Sequence, residues 1–162
     1  MPNSILEKPW AYISMDFITK LLLAQEYNSI LVVVNRLTKI VHFIPTIEKT
    51  LVEELARLFR DNIWKLHGLP ESIISDRGPQ FMEEIMQELN RILGIESKLS
   101  MVFHSQTDGQ TERVNQKLEQ YLRMFINHRQ EQWPDWLGTA EFAHNDKAHL
   151  STKISPFKAN YR

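Results

Sequence analysis

The spacing of apolar residues in the first third of the chain constrains the fold most strongly. Residues 11–19 (AYISMDFIT) alternate between apolar and polar side chains, as a strand with one apolar face does. Residues 29–35 (SILVVVN) are apolar on both faces, which is typical of a buried central strand. Because residues 39–45 (KIVHFIP) follow closely, we predict a three-stranded antiparallel meander.

The spacing becomes helical after residue 46. Apolar residues from Leu51 to Ile63 recur along one stripe, and Thr50 with Glu53 has the form of a capping box at the start of that helix. The pattern then predicts strands at 72–75 and 96–100, helices at 80–93 and 111–129, a helix beginning at Trp133, and a short helix at 155–161. This order of strands and helices indicates an α/β layered domain.

Composition narrows the class of protein. The 162 residues carry 19 basic and 20 acidic side chains, so the chain has no net positive charge with which to bind nucleic acid. Any nucleic acid must therefore be held by a local basic patch. The chain contains no cysteine, which excludes disulfides and thiolate chemistry. No apolar run reaches the roughly 18 residues of a membrane span, and the first residues lack the layout of a signal peptide. We expect one intracellular domain over residues 1–162.

Three acidic residues occupy positions that suit metal chemistry. Asp16 lies on the polar side of the first strand, Asp76 directly follows the predicted strand at 72–75, and Glu112 opens the long helix. Carboxylates at strand ends can hold Mg²⁺, because hard oxygen ligands suit that ion. The spacing alone is weak evidence, since 20 of the 162 residues are acidic. For each acid taken alone, a solvated surface carboxylate or a cap is the simpler interpretation.

The sequence around these acids carries more information than their spacing. Asp16 lies in ISMDFI, Asp76 in SDRGPQF and Glu112 in HSQTDGQTERVNQ. Together with SILVVVNRLTKIVHFIP, LHGLPESIISDRG and AEFAHND, these segments resemble the catalytic core of retroviral-type integrases, specifically those of gypsy-type (Metaviridae) long-terminal-repeat retrotransposons. The resemblance runs over nearly the whole chain.

The resemblance implies a fold, a site and a reaction. The fold would be RNase H-like, with a five-stranded mixed sheet flanked by helices. Asp16, Asp76 and Glu112 would be both the catalytic residues and the ligands of two Mg²⁺ or Mn²⁺ ions. Such a site would trim the 3′ ends of element DNA and join them to target DNA by in-line phosphoryl transfer.

The resemblance also implies partners and a location. The partner would be double-stranded DNA, as element ends and as target, and the protein would act as a homodimer or higher oligomer in the nucleus, away from membranes. Family members carry a zinc-binding amino-terminal domain and a basic carboxy-terminal region, which residues 1–162 lack. We therefore expect this core alone to be weakly active.

Residues near Glu112 are candidates for DNA contact through phosphate groups. Gln106 and Gln110 are placed in the polar loop before the helix, and the helix itself offers Arg113, Gln116, Lys117 and Arg123. A solvated helix face is an equally good interpretation of any one of them.

Two other functions remain open. The chain could be a decayed or domesticated integrase fold that binds DNA or protein without catalysis, although its acidic triad is intact. It could also be an RNase H that cuts RNA–DNA hybrids.

Two departures from the family pattern are Asn35, where aspartate is usual, and Ser105, where proline is usual. We expect Asn35 to lower the negative charge near Asp16.

Overall fold

A five-stranded mixed sheet forms the centre of the protein. The structure, a computed structural model, describes residues 10–95, 102–104 and 109–147. The strands are β1 (Tyr12–Ile18), β2 (Ser29–Asn35), β3 (Val41–Thr46), β4 (Ser72–Ile74) and β5 (Val102–His104), in the order β3-β2-β1-β4-β5. The first three form the predicted antiparallel meander, whereas β4 and β5 run parallel to β1.

Helices cover both faces of this sheet. They are α1 (Val52–Phe59), a π-helical turn (Arg60–Trp64), α2 (Lys65–His67), α3 (Pro79–Leu93), α4 (Gly109–Arg129), a 3-10 turn (Gln130–Gln132) and α5 (Trp133–Lys147). None of the helices in the described ranges is both long and apolar enough to cross a membrane.

The sheet separates two apolar layers. On one face, Ile13 and Met15 of β1 pack with residues of α1 and α3 such as Phe59 and Met86. On the other face, β2 and β3 pack against α4 and α5, where the fully buried Trp133 anchors the layer. β2 contributes to both layers and is buried along its whole length, which confirms the prediction that this strand is buried.

Several predicted boundaries differ from the structure. The capping box is wrong: α1 begins after Leu51, which makes no side-chain cap, and the hydroxyl of Thr50 instead bonds the backbone of Ile47. The fifth strand lies at Val102–His104, while residues 96–100, where it was predicted, are outside the described residues. The helix predicted at 155–161 also lies outside them.

Side chains of α5 cover the outer edge of β3. The Asn145 amide accepts a hydrogen bond from the Val41 N–H at 2.8 Å and donates one to the Val41 carbonyl at 3.1 Å. Glu141 accepts the Phe43 N–H at 2.8 Å. The next outward position is Pro45, which has no N–H to satisfy. The edge of the sheet is therefore closed to pairing with another strand.

Loss of the Asn145 amide should destabilise the fold measurably. In Asn145→Ala, both polar groups of Val41 lose their partner in a buried place, so we expect the free energy of unfolding to fall by about 1–3 kcal/mol. Urea denaturation measures this. The exposed neighbour Asp146→Ala is the matched control and should change stability by less than about 0.5 kcal/mol. Equal stabilities of the two variants would contradict this account of the edge.

Candidate active site

The parallel pairing of β1 with β4 brings the first two acids together. Ser14 of β1 pairs with Ile74 of β4, so the chain two residues further along each strand places Asp76 beside Asp16. The backbone N–H of Asp76 donates to Oδ1 of Asp16 at 3.1 Å. Asp16 is partly buried and Asp76 is exposed at the rim.

The turn after β4 is fixed by its own hydrogen bonds. The Arg77 N–H donates to Oγ of the buried Ser75 at 3.1 Å, and Gly78 follows with a φ of +92°, a conformation that favours glycine. Pro79 then opens α3 at a position where its missing N–H costs nothing. The SDRGP segment therefore holds Asp76 rigidly at the carboxyl end of β4.

Glu112 reaches the same cleft from the first turn of α4. A cleft of about 210 Å³ is lined by side chains of β1, β2, the β4–α3 turn and α4. Its lining includes four carboxylates: Asp16, Asp76, Glu112 and Glu119. The structure thus places the three predicted catalytic acids around one cleft.

Asn115 is a fourth polar contributor, which the sequence pattern did not single out. Its Nδ2 donates to Oδ2 of Asp16 at 2.7 Å, so both oxygens of that carboxyl are hydrogen-bonded. Asn115 lies three residues after Glu112 in α4, and residues at that spacing share a helix face. That spacing is the signal from which Asn115 could have been found.

The electrostatics of the cleft act chiefly on Asp16. The pKa of Asp16 is raised from its ordinary value of 3.8 to about 7, chiefly by burial; the Asp76 carboxyl contributes to the rise, while the Asp76 N–H and the Arg77 charge oppose it. A buried carboxyl beside a second carboxyl is a site that favours either a proton or a cation.

The donor set fits Mg²⁺ in kind, because carboxylate and amide oxygens are the ligands this ion prefers. Within residues 10–95 and 109–147, however, no three carboxylate or imidazole side chains converge closely enough to surround a metal ion. The three acids therefore share a cleft without forming a closed ligand sphere.

The two candidate DNA contacts assigned to the loop have different outcomes. Gln106 lies outside the described residues. Gln110 was assigned to the loop, but its backbone belongs to the first turn of α4, so that assignment is wrong. The helix begins earlier than the sequence pattern predicted, at Gly109. Glycine is a weak helix former in a sequence-based assignment, which is why the start was placed too late.

The four candidates on α4 point to different surroundings. Gln116 lines the cleft. Arg113, three residues before Gln116 in the sequence, is exposed. Lys117 lines a separate groove between α4 and α5. Arg123 donates to Glu119 at 3.0 Å and to a backbone carbonyl of the segment after β1 at 3.2 Å. Of these four, only Gln116 lines the cleft that holds the acids.

Asn35 does not lie beside the acids. It pairs with Ile13, three positions along β1 from Asp16, and its Oδ1 accepts the Leu37 N–H at 3.0 Å. This side chain shapes the turn between β2 and β3. Its distance along the strand does not support the expectation that Asn35 changes the charge near Asp16.

The raised pKa of Asp16 predicts an unusual pH dependence of stability. Between pH 4 and pH 7 the folded protein binds more protons at this carboxyl than the unfolded chain does, so the free energy of unfolding should fall as the pH rises through that window. Asp16→Asn should remove this dependence and raise stability at pH 8 by about 1–3 kcal/mol. Urea denaturation in EDTA tests this, with Asp146→Asn as control, and an unchanged pH profile in Asp16→Asn would contradict it.

The fold is shared with solved integrase cores. The HTLV-2 integrase catalytic core domain, solved in complex with magnesium in a dimeric form, matches with a TM-score of 0.63 at 15% identity and covers 96% of this chain and 99% of that one. The catalytic core domain of BIV integrase matches with a TM-score of 0.65 at 18% identity and covers 93% of each chain. At these identities the likeness shows the fold, and it confirms the predicted RNase H-like class.

Proteins of similar sequence are transposon polyproteins. The transposon Tf2-3 and Tf2-4 polyproteins of Schizosaccharomyces pombe are each 33% identical to this chain over 156 residues, which is 96% of this chain and 12% of each polyprotein. No protein-family model matches the chain. The narrower gypsy-type assignment stays a prediction. The sequence relatives are transposon polyproteins and the structural neighbours are retroviral integrase catalytic cores, and together they support an integrase core of a long-terminal-repeat retrotransposon as the family of this chain.

Proposed function

We propose that the protein is a metal-dependent polynucleotidyl transferase that trims the 3′ ends of element DNA and joins them to target DNA. The observation that carries the proposal is the cleft that Asp16, Asp76 and Glu112 all line, within a fold shared with integrase cores. Each acid comes from a different element, so the fold, rather than a local motif, assembles the site.

The residues of the cleft have distinct parts in this reaction. Asp16 and Asp76 would hold the divalent ions, two in number as in related phosphoryl-transfer sites, and Glu112 would complete the ligand set from α4. Asn115 fixes the orientation of the Asp16 carboxyl through Oδ2. Bound Mg²⁺ or Mn²⁺ would supply positive charge for in-line displacement at phosphorus, in which water or a 3′-hydroxyl loses its proton and forms the new P–O bond while the P–O bond to the leaving strand oxygen breaks.

The partners follow from the proposed reaction. The substrate is double-stranded DNA, and Gln116 is the predicted contact on α4 that lines the cleft. A homodimer is supported by the HTLV-2 core, which was solved in a dimeric form. The protein acts in the nucleus, where target DNA lies. Residues 1–162 form one catalytic unit.

The catalytic roles of the acids can be tested on branched DNA in Mg²⁺ or Mn²⁺. Because each acid is a metal ligand in this proposal, Asp76→Asn and Glu112→Gln should each lower the rate of strand cleavage by about 100-fold or more. Glu84→Gln, an exposed acid of α3 outside the cleft, should leave the rate unchanged. Cleavage by the two cleft variants at the wild-type rate would refute the proposed site.

The part assigned to Asn115 predicts a change in metal requirement. Asn115→Ala frees Oδ2 of Asp16, so the metal concentration that gives half-maximal cleavage should rise by about 10–100-fold. Gln120→Ala, on the exposed side of the same helix, is the control. An unchanged metal requirement in Asn115→Ala, with cleavage intact, would show that the hydrogen bond has no such part.

The same assays separate the alternative functions. One alternative is a decayed or domesticated integrase fold that binds DNA or protein without catalysis. Tight DNA binding by wild type and by Asp76→Asn, with no cleavage by either, would support that alternative. Cleavage of RNA–DNA hybrids in preference to branched DNA would instead support an RNase H.

A further inference from the structure

Arg77 occupies an unusual place beside the cleft. It follows Asp76 directly, and its guanidinium carbon lies 4.4 Å from the ring centroid of Phe17 and 5.6 Å from that of Phe81. The two rings meet edge to face, with centroids 6.4 Å apart, and form an aromatic shelf under the charge. The residue is exposed, and it makes no ion pair with a carboxylate among the described salt bridges.

The cleft has an electrostatic difficulty that Arg77 can relieve. Its described lining carries four carboxylates and no lysine or arginine, so apart from bound metal ions it offers no positive charge to a DNA strand. Arg123, which lies further along α4, already donates to Glu119 and to a backbone carbonyl. Arg77 follows Asp76 directly and lies over the ring of Phe17, and because both of these residues line the cleft, Arg77 is placed at its edge.

We propose that the Arg77 guanidinium binds the non-bridging oxygens of a DNA phosphodiester that lies next to the one being cut. The proposal rests on the proposed function and adds to it a phosphate subsite on the rim formed by the β4–α3 turn. Arg77 is a positioning residue here: it holds the strand over the acids, and it takes no part in breaking the bond.

The choice of arginine suits this geometry. A guanidinium can stack one flat face on an aromatic ring and still present its N–H groups in the plane to two phosphate oxygens. The rings of Phe17 and Phe81 limit the rotamers of the side chain, so less freedom is lost when phosphate binds. A lysine keeps the charge but loses both the stacking and the paired hydrogen bonds.

A binding experiment with charge-neutralised phosphates tests the subsite. Branched DNA is prepared with a single methylphosphonate at successive positions around the cleavage point, and its affinity is measured in Ca²⁺ for wild type, Arg77→Gln and Arg77→Lys. We expect Arg77→Gln to bind unmodified DNA about tenfold more weakly, with a salt slope smaller by about 0.9, and Arg77→Lys to fall between it and wild type. Arg57→Gln, an exposed arginine of α1 paired with Glu54, controls for loss of one surface charge.

The decisive result is coupling between the residue and one phosphate. One methylphosphonate should weaken binding by wild type about tenfold and binding by Arg77→Gln less than about twofold, whereas at every other position the two effects should add. Calorimetric Mg²⁺ affinity measured without DNA should not fall in Arg77→Gln, although it would if Arg77 served only to hold the acids in place.

Each remaining result counts against the subsite. Additive effects at every position, or equal losses in Arg77→Gln and Arg57→Gln, would overturn it while leaving the proposed function intact, because the acids are tested separately by cleavage. Failure of wild type to bind any of the DNAs would overturn both.

Discussion

Parallel pairing between β1 and β4 is the constraint on which the site depends. The two strands are far apart in sequence, and their register alone decides that Asp76 emerges beside Asp16. The hydrogen bond from the Asp76 N–H to Asp16 then joins the end of β4 to the middle of β1. A slip of one residue in β1 would turn Asp16 to the opposite face of the sheet, and a slip in β4 would move Asp76 away from it.

The second constraint is the burial of Asp16 beneath α4. The helix covers the face of β1 on which the carboxyl lies, and Asn115 contacts it from above. Burial without a cation makes the charged form costly, and this cost is what raises the pKa of Asp16. The fold thus holds a carboxyl in a place that is unfavourable for stability and favourable for binding a positive ion, as active sites commonly do.

Sequence patterns predicted the strongly periodic elements and failed where side chains decide the outcome. β2 was predicted with the observed bounds, because a short apolar run between polar segments is typical of a buried strand. The acids were found through resemblance, since spacing could not distinguish them from surface carboxylates. The capping box failed because the hydroxyl of Thr50 found a closer backbone partner in the preceding turn.

Contacts between residues far apart in the sequence could not be predicted, for a different reason. The bond between Asn115 and Asp16 joins residues 99 positions apart, and the cover that Asn145 gives to Val41 joins residues 104 positions apart. No local pattern records such a pairing. The surroundings of Arg77 likewise could not be predicted, because Phe17 and Phe81 come together beneath it only when β1 and α3 pack in the fold.

Anomalous X-ray scattering from crystals soaked in Mn²⁺ tests the central claim most directly, because it locates the ion without relying on activity. The account predicts a manganese peak in the cleft, coordinated by the carboxylates of Asp16 and Asp76, with Glu112 facing it from α4. A cleft free of manganese at saturating concentration, with Asp16 still bonded to the Asp76 N–H and to Asn115, would contradict the claim that these acids form a metal site.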